Sequence, residues 1–183
     1  MKMSLITPTA VLGAVLALPA TAAPVMLDHA AAPSCDALAA IEGDPQARAA
    51  PVADAALRAD AIISACRRAW ADQPNTGRIA TQLARGFLAR GDVAEAVFAL
   101  GRGMEGGHGA AFALLGGLYR DGAGVPQDDM MAHYLYDRAF RLGFMPAMTA
   151  LVALYEDPES LYHDPYRAAW ARRTFAEILP GDG

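Results

Sequence analysis

Beyond Lys2 the 183-residue chain contains no lysine, so that fourteen of its fifteen Lys and Arg residues are arginine. Schiff-base lysines, phosphate-loop lysines and Ser-Lys dyads therefore have no residue to build on in the body of the chain. The strings HExxH, GxSxG, SxxK and CxxC are also missing. With them go the signatures of zinc hydrolases, nucleophile-elbow hydrolases, serine acyl-enzymes and dithiol redox centres. A basic surplus is lacking too: the formal net charge is −5, which argues against a nucleic-acid partner. Long apolar runs are scarce. The one at the N-terminus, about Ala10 to Leu18, is well short of the ~20 residues that span a bilayer.

That run follows Lys2 and precedes Ala20-Thr21-Ala22, whose small residues suit positions −3 and −1 of a signal-peptidase site. Residues 1–22 are therefore expected to be a secretory signal peptide, leaving no transmembrane segment after cleavage. Its removal takes the formal charge from −5 to −6 and discards the single lysine. Cys35 is not a lipidation site: Ala32-Pro33-Ser34 before it lacks the apolar and small residues required, and the apolar run lies far upstream.

Only Cys35 and Cys66 supply sulfhydryl groups. In an oxidising compartment an even count favours a bridge, and two cysteines allow one connectivity. The bridge would close a loop of about 32 residues, worth roughly 3 to 4 kcal/mol by loop-closure entropy. The alternative is two buried free thiols.

Residues 23–53 carry several prolines and little periodic apolar pattern except around Cys35 to Ile41. They predict an arm with one short helix. From Asp54 to the end, residues 54–183, the pattern is helical, with breaks at Gly, Pro and Asn and no alternating strand. Helices are predicted over 54–71, 78–89, 93–103, 110–120, 129–142, 146–155 and 165–178. Alanine abundance favours closely packed helices.

A period of 36 runs through this part. Ala111, Leu115 and Tyr119 recur as Ala147, Leu151 and Tyr155; Asp128 recurs as Asp164, Tyr134 as Trp170, and Ala96, Ala132 and Ala168 form a series. A repeat of two antiparallel helices buries its apolar face only by stacking on its neighbours. Leu115, Tyr119, Leu151 and Tyr155 are expected in the core from the first helices, and Tyr134, Tyr136 and Trp170 from the second. The alanines should lie at the closest helix contacts. Gly122 and Gly143 should end helices, Gly124 should permit a tight path, Pro146 should open a helix and Asp128 should cap one.

The segment "AAFALLGGLYRDGAGVPQDDMMAHYLYDRAFRLGFMPAM" resembles the Sel-1-like repeat, a relative of the tetratricopeptide repeat. Ala111, Leu115, Gly116, Tyr119, Gly122, Gly124, Val125, Asp128, Ala132, Tyr134, Tyr136, Ala139, Gly143 and Ala147 stand in its register. Upstream, "QLARGFLARGDVAEAVFALGRGMEGG" is similar to a tetratricopeptide-like helix pair. Downstream, Val152, Pro158, Ser160 and Arg172 replace Gly116, Gly122, Gly124 and Tyr136, as in a terminal capping repeat. The resemblance implies an all-α, right-handed solenoid of about three helix pairs, preceded by the disulfide-tethered arm. It also implies a non-catalytic adaptor or regulator with a protein or peptide partner, and exported bacterial members bind membrane sensors or host proteins. Together with the signal peptide it places the mature chain in a bacterial periplasm or outside the cell. A β-lactamase-labelled type of cysteine-rich relative, a peptidoglycan-binding envelope protein and a small-ligand binder are the alternatives.

No cofactor or metal is expected. Gly101-x-Gly103-x-x-Gly106 has the form of a dinucleotide fingerprint, but no strand precedes it, and it reads as a turn between helices. His29, His108, His133 and His163 show no ligand spacing and are expected at surfaces or helix ends.

Overall fold

The computed structural model describes residues 34–178. The predicted signal peptide, the start of the arm and His29 lie outside them. Eight α-helices follow in order: α1 (Cys35–Ala39), α2 (Ala59–Asp72), α3 (Gly77–Arg90), α4 (Val93–Glu105), α5 (Gly109–Asp121), α6 (Asp129–Arg141), α7 (Pro146–Glu156) and α8 (Pro165–Ile178). No strand occurs among the described residues. Consecutive helices pack on one another, α3 on α4, α5 on α6 and α7 on α8, and α5 also meets α3 and α7. This is the helical solenoid that the period of 36 predicts, with α1 and α2 leaning on its first face.

The helix expected over 54–71 is shorter. A 3-10 turn spans Asp54–Ala56, and α2 begins only at Ala59, because Leu57 and Arg58 are extended. The first residues of that run are drawn instead into the contact between the arm and α3.

The core follows the repeat. Ala96, Ala132, Ala139 and Ala168 are buried, as are Leu115, Leu151, Tyr136 and Tyr155, with Tyr119 and Val125 packed at the edge. Tyr134 and Trp170 do not join them. They stand more than half exposed, 55% and 59%, on the outer faces of α6 and α8. Their register explains this: each lies two residues beyond a buried alanine, about 200° around the helix at about 100° per residue.

The loop between α5 and α6 repeats between α7 and α8. The Asp128 amide donates to the Tyr119 carbonyl (2.9 Å), and one period on the Asp164 amide donates to the Tyr155 carbonyl (2.8 Å). Both aspartates then accept from a backbone amide at the start of the next helix, Met131 and Arg167, at 2.9 Å each. That satisfies a donor with no partner in the first turn.

Gly116 marks where the two copies differ. A Cβ there would stand 2.9 Å from the Tyr136 ring of α6. In the next copy both members change together: Val152 replaces Gly116, and Arg172 replaces Tyr136 and pairs with Glu156 at the surface. Without the ring a valine is accommodated where a glycine was required, beside an open cavity of about 400 Å³ that Val152 and Arg172 help to line.

Gly122 and Gly124 both have positive φ, 63° and 76°, but only Gly124 is also crowded, since its Cβ would lie 2.4 Å from Val93 Cγ1. Gly122→Ala is expected to cost about 1 kcal/mol from left-handed strain alone, and Gly124→Ala clearly more. Adding Val93→Ala to Gly124→Ala should recover about 1 kcal/mol through coupling between the two sites. Urea unfolding of the four chains tests this; equal losses for the two glycine variants would refute the account.

Candidate functional site

The side chains of α3 fall into two sets. Arg78, Thr81, Gln82 and Arg85, spaced i, i+3, i+4 and i+7, form a buried polar stripe. Ala80, Leu83 and Phe87 lie on the opposite side at about 100° per residue.

The polar stripe holds the arm. The predicted Cys35–Cys66 bridge is present and joins α1 to α2. Asp36 is ion-paired with Arg78 and accepts from Gln82 Nε2 at 2.9 Å. Arg85 Nη1 donates to the carbonyls of Ala39 (3.0 Å) and Ala40 (2.7 Å), and Nη2 donates to the Val52 carbonyl (2.8 Å) and pairs with Asp54. A buried guanidinium costs several kcal/mol unless its donors are satisfied, and here arm carbonyls satisfy them.

Next along the same interface is an enclosed triad. His108 is fully buried (0% exposed); its Nε2 is 3.0 Å from Asp44 Oδ2, and its Nδ1 is 2.8 Å from Thr81 Oγ1. The Thr81 hydroxyl also reaches the Gly77 carbonyl (2.8 Å). A carboxylate only accepts, so Nε2 is a protonated ring nitrogen. His108 stands at a helix end, as the N-cap residue of α5, and is not a surface residue but a strut joining arm, α3 and α5. The trio has the residue types of a hydrolase relay, but all three side chains are buried. Burial alone would push the Asp44 carboxyl up; hydrogen bonds from His108 and the Gln46 amide, with the His108 charge, outweigh this and hold it below the usual carboxylate range.

His133 stacks on Tyr162 at 4.2 Å and lies 3.0 Å from the Tyr155 hydroxyl. Burial and then the Arg167 charge lower its pKa, with Asp137 opposing. Gly101 and Gly103 lie inside α4, with Gly106 just past its end, so the glycine-rich string is mostly helix and not the expected turn. The other signature residues, Ala111, Leu115, Gly116, Tyr119, Asp128, Ala132, Tyr136, Ala139 and Gly143, are spread through core and loops and converge on no single point. Among the described residues no group of three His, Cys, Asp or Glu side chains is placed to hold a metal ion.

The apolar side of α3 is the floor of an open groove of about 810 Å³. Arg67 and Trp70 of α2 form one wall, and Ala94, Phe98 and Arg102 of α4 the other. The Arg67 guanidinium sits 5.6 Å over the Phe87 ring, and Phe98 is 74% exposed. Volume and apolar lining fall in the range of sites that bind organic groups or side chains. The sequence reading missed this groove. Its signal was Trp70, a large apolar residue near the end of α2 that no repeat position explains.

Stacked helix pairs with one register define a helical-repeat protein. The structure is similar to the crystal structure of a Sel1 repeat protein from Oxalobacter formigenes, with 29% sequence identity and a TM-score of 0.50 over 61% of this chain and 86% of that one. No protein-family model matches the chain, and no curated protein matches it. The chain thus has a helical-repeat fold similar to that of a Sel1 repeat protein. Among the described residues no helix is long and apolar enough to cross a membrane.

The depressed carboxyl of Asp44 gives a signed expectation. Its contribution to stability is complete above the ordinary aspartate pKa of about 3.9 and is lost as pH falls through its lower folded value. Asp44→Asn should cost about 3 kcal/mol or more at pH 7, because it strips the partner from a buried His108. It should also flatten this part of the acid limb in melts run from pH 7 to 2. An unchanged acid limb would refute the assignment.

Proposed function

We propose that the chain is an exported, non-catalytic adaptor that binds a protein or peptide partner within an envelope or secreted complex. The groove over α3 carries this reading. Its floor is fixed from behind, since the other side of the same helix is locked to the arm by Arg85, Arg78 and the disulfide. A rigid floor binds with little loss of entropy, which favours recognition of a side chain or short segment. Export is supported by the signal-like N-terminus and by a disulfide, which persists in oxidising compartments. A non-catalytic role is supported by the enclosure of the Asp44–His108–Thr81 trio. The similarity to a Sel1 repeat protein points to protein partners.

Two outcomes follow. N-terminal sequencing of the protein recovered from culture medium or periplasm should begin directly after Ala22; a chain starting at Met1 would defeat the export reading. Peptides selected by display against the wild-type protein should bind Trp70→Ala at least about tenfold more weakly, a loss typical of a buried aromatic anchor. Circular dichroism should show the variant folded, and undiminished affinity would exclude the groove.

A further inference from the structure

Five of the exposed large apolar side chains, Met131 and Leu161 aside, are arranged with the repeat. Phe98, Tyr134 and Trp170 are one period apart and occupy the same position on α4, α6 and α8, each more than half exposed. One turn earlier on the same faces, Met130 of α6 and Tyr166 of α8 are exposed as well. The buried Ala96, Ala132 and Ala168, two residues before each aromatic, fix this direction as outward. A single exposed apolar residue needs no explanation. Five at two positions of a repeated unit present one recurring apolar pattern on the outer faces of α4, α6 and α8.

Arginines accompany the row. Arg102 follows Phe98 by four residues, Arg138 follows Tyr134 by four, and Arg173 follows Trp170 by three. Arg102 is engaged by Glu105 and Asn75. Arg138 and Arg173 are exposed and make no ion pair among the described residues. The adjacent carboxylate, Asp137, is already held by Arg141. Among the described residues, the charges beside Tyr134 and Trp170 that lack a carboxylate partner are therefore positive: Arg173, and Arg138, whose guanidinium lies 5.9 Å from the Phe112 ring.

We infer that this row takes an acidic segment of a partner polypeptide laid across α4, α6 and α8. Its apolar side chains rest on Tyr134 and Trp170, and its carboxylates meet Arg138 and Arg173. Planar guanidinium groups pair with carboxylates through two parallel hydrogen bonds. The inference rests on the adaptor reading and extends it, since Phe98 is both a wall of the groove and the first member of the row. A flat bilayer fits less well, because the row is continuous through Phe98 with the concave groove, which a peptide can follow and a flat surface cannot.

The test uses 20-residue peptides selected by display against the wild-type protein, and vesicles of phosphatidylglycerol with phosphatidylcholine. Selected peptides should be rich in Asp and Glu. Their affinity should fall at least about tenfold in Tyr134→Ser/Trp170→Ser and about threefold or more in Arg138→Gln/Arg173→Gln, with both variants melting as the wild type does. Neutral or basic peptides, or acidic ones indifferent to both double variants, would overturn the row. Peptides that lose affinity in Trp70→Ala yet ignore the row variants would overturn it while leaving the groove standing. Vesicle binding that is abolished by Tyr134→Ser/Trp170→Ser, with no acidic peptide recovered, would assign the row to membranes and overturn the proposal.

Discussion

The seating of Arg85 among the arm's carbonyls is the contact on which the first half of the molecule depends. An arginine at the centre of a helix, buried to this degree, is tolerable only where several acceptors converge on it; the arm supplies three carbonyls, and Asp54 just after it a carboxylate. Arg78, Gln82 and His108 pose the same problem and are answered by Asp36 and Asp44 of the same arm. The arm is thus part of the core, and the disulfide keeps it within reach by tying α1 to α2. One consequence reaches the other side of α3: a helix held rigidly behind gives the groove in front a fixed floor.

The second half is stabilised by a different rule, the agreement of neighbouring repeats. Where α6 offers the Tyr136 ring, α5 offers Gly116; where α8 offers Arg172, α7 offers Val152. The two pairs have no residue in common, and the last copy does not close as the first does: Val152, Glu156 and Arg172 help to line an open cavity of about 400 Å³. That copy also exchanges a buried aromatic for a surface ion pair with Glu156, as suits a helix with no further layer beyond it. The Asp128 and Asp164 caps and their matching amide bonds to Tyr119 and Tyr155 persist even though the left-handed Gly122 and Gly124 have become Pro158 and Ser160, which are not left-handed.

Periodicity and turn chemistry are local, so the chain announces them. The spacing of 36, the alanines of the close contacts, the Asp128 cap and the left-handed turns at Gly122, Gly124 and Gly143 were legible, as was the pairing of the two cysteines. Facing direction within a helix was legible only in part. Tyr134 and Tyr136 are two residues apart and chemically alike, yet about 200° of helix separates them, so one is core and the other surface. Pairing them by residue type alone placed Tyr134 and Trp170 inside.

The amino-acid sequence by itself determined the class: helices of fixed length, stacked at a fixed period, with a covalent tether, because these follow from short-range spacing. Tertiary structure alone decided what the polar and aromatic residues do. The Asp44–His108 contact joins residues 64 positions apart, and the groove takes its walls from two helices and its floor from a third. Such assemblies depend on how helices cross in space, and no linear spacing encodes that crossing.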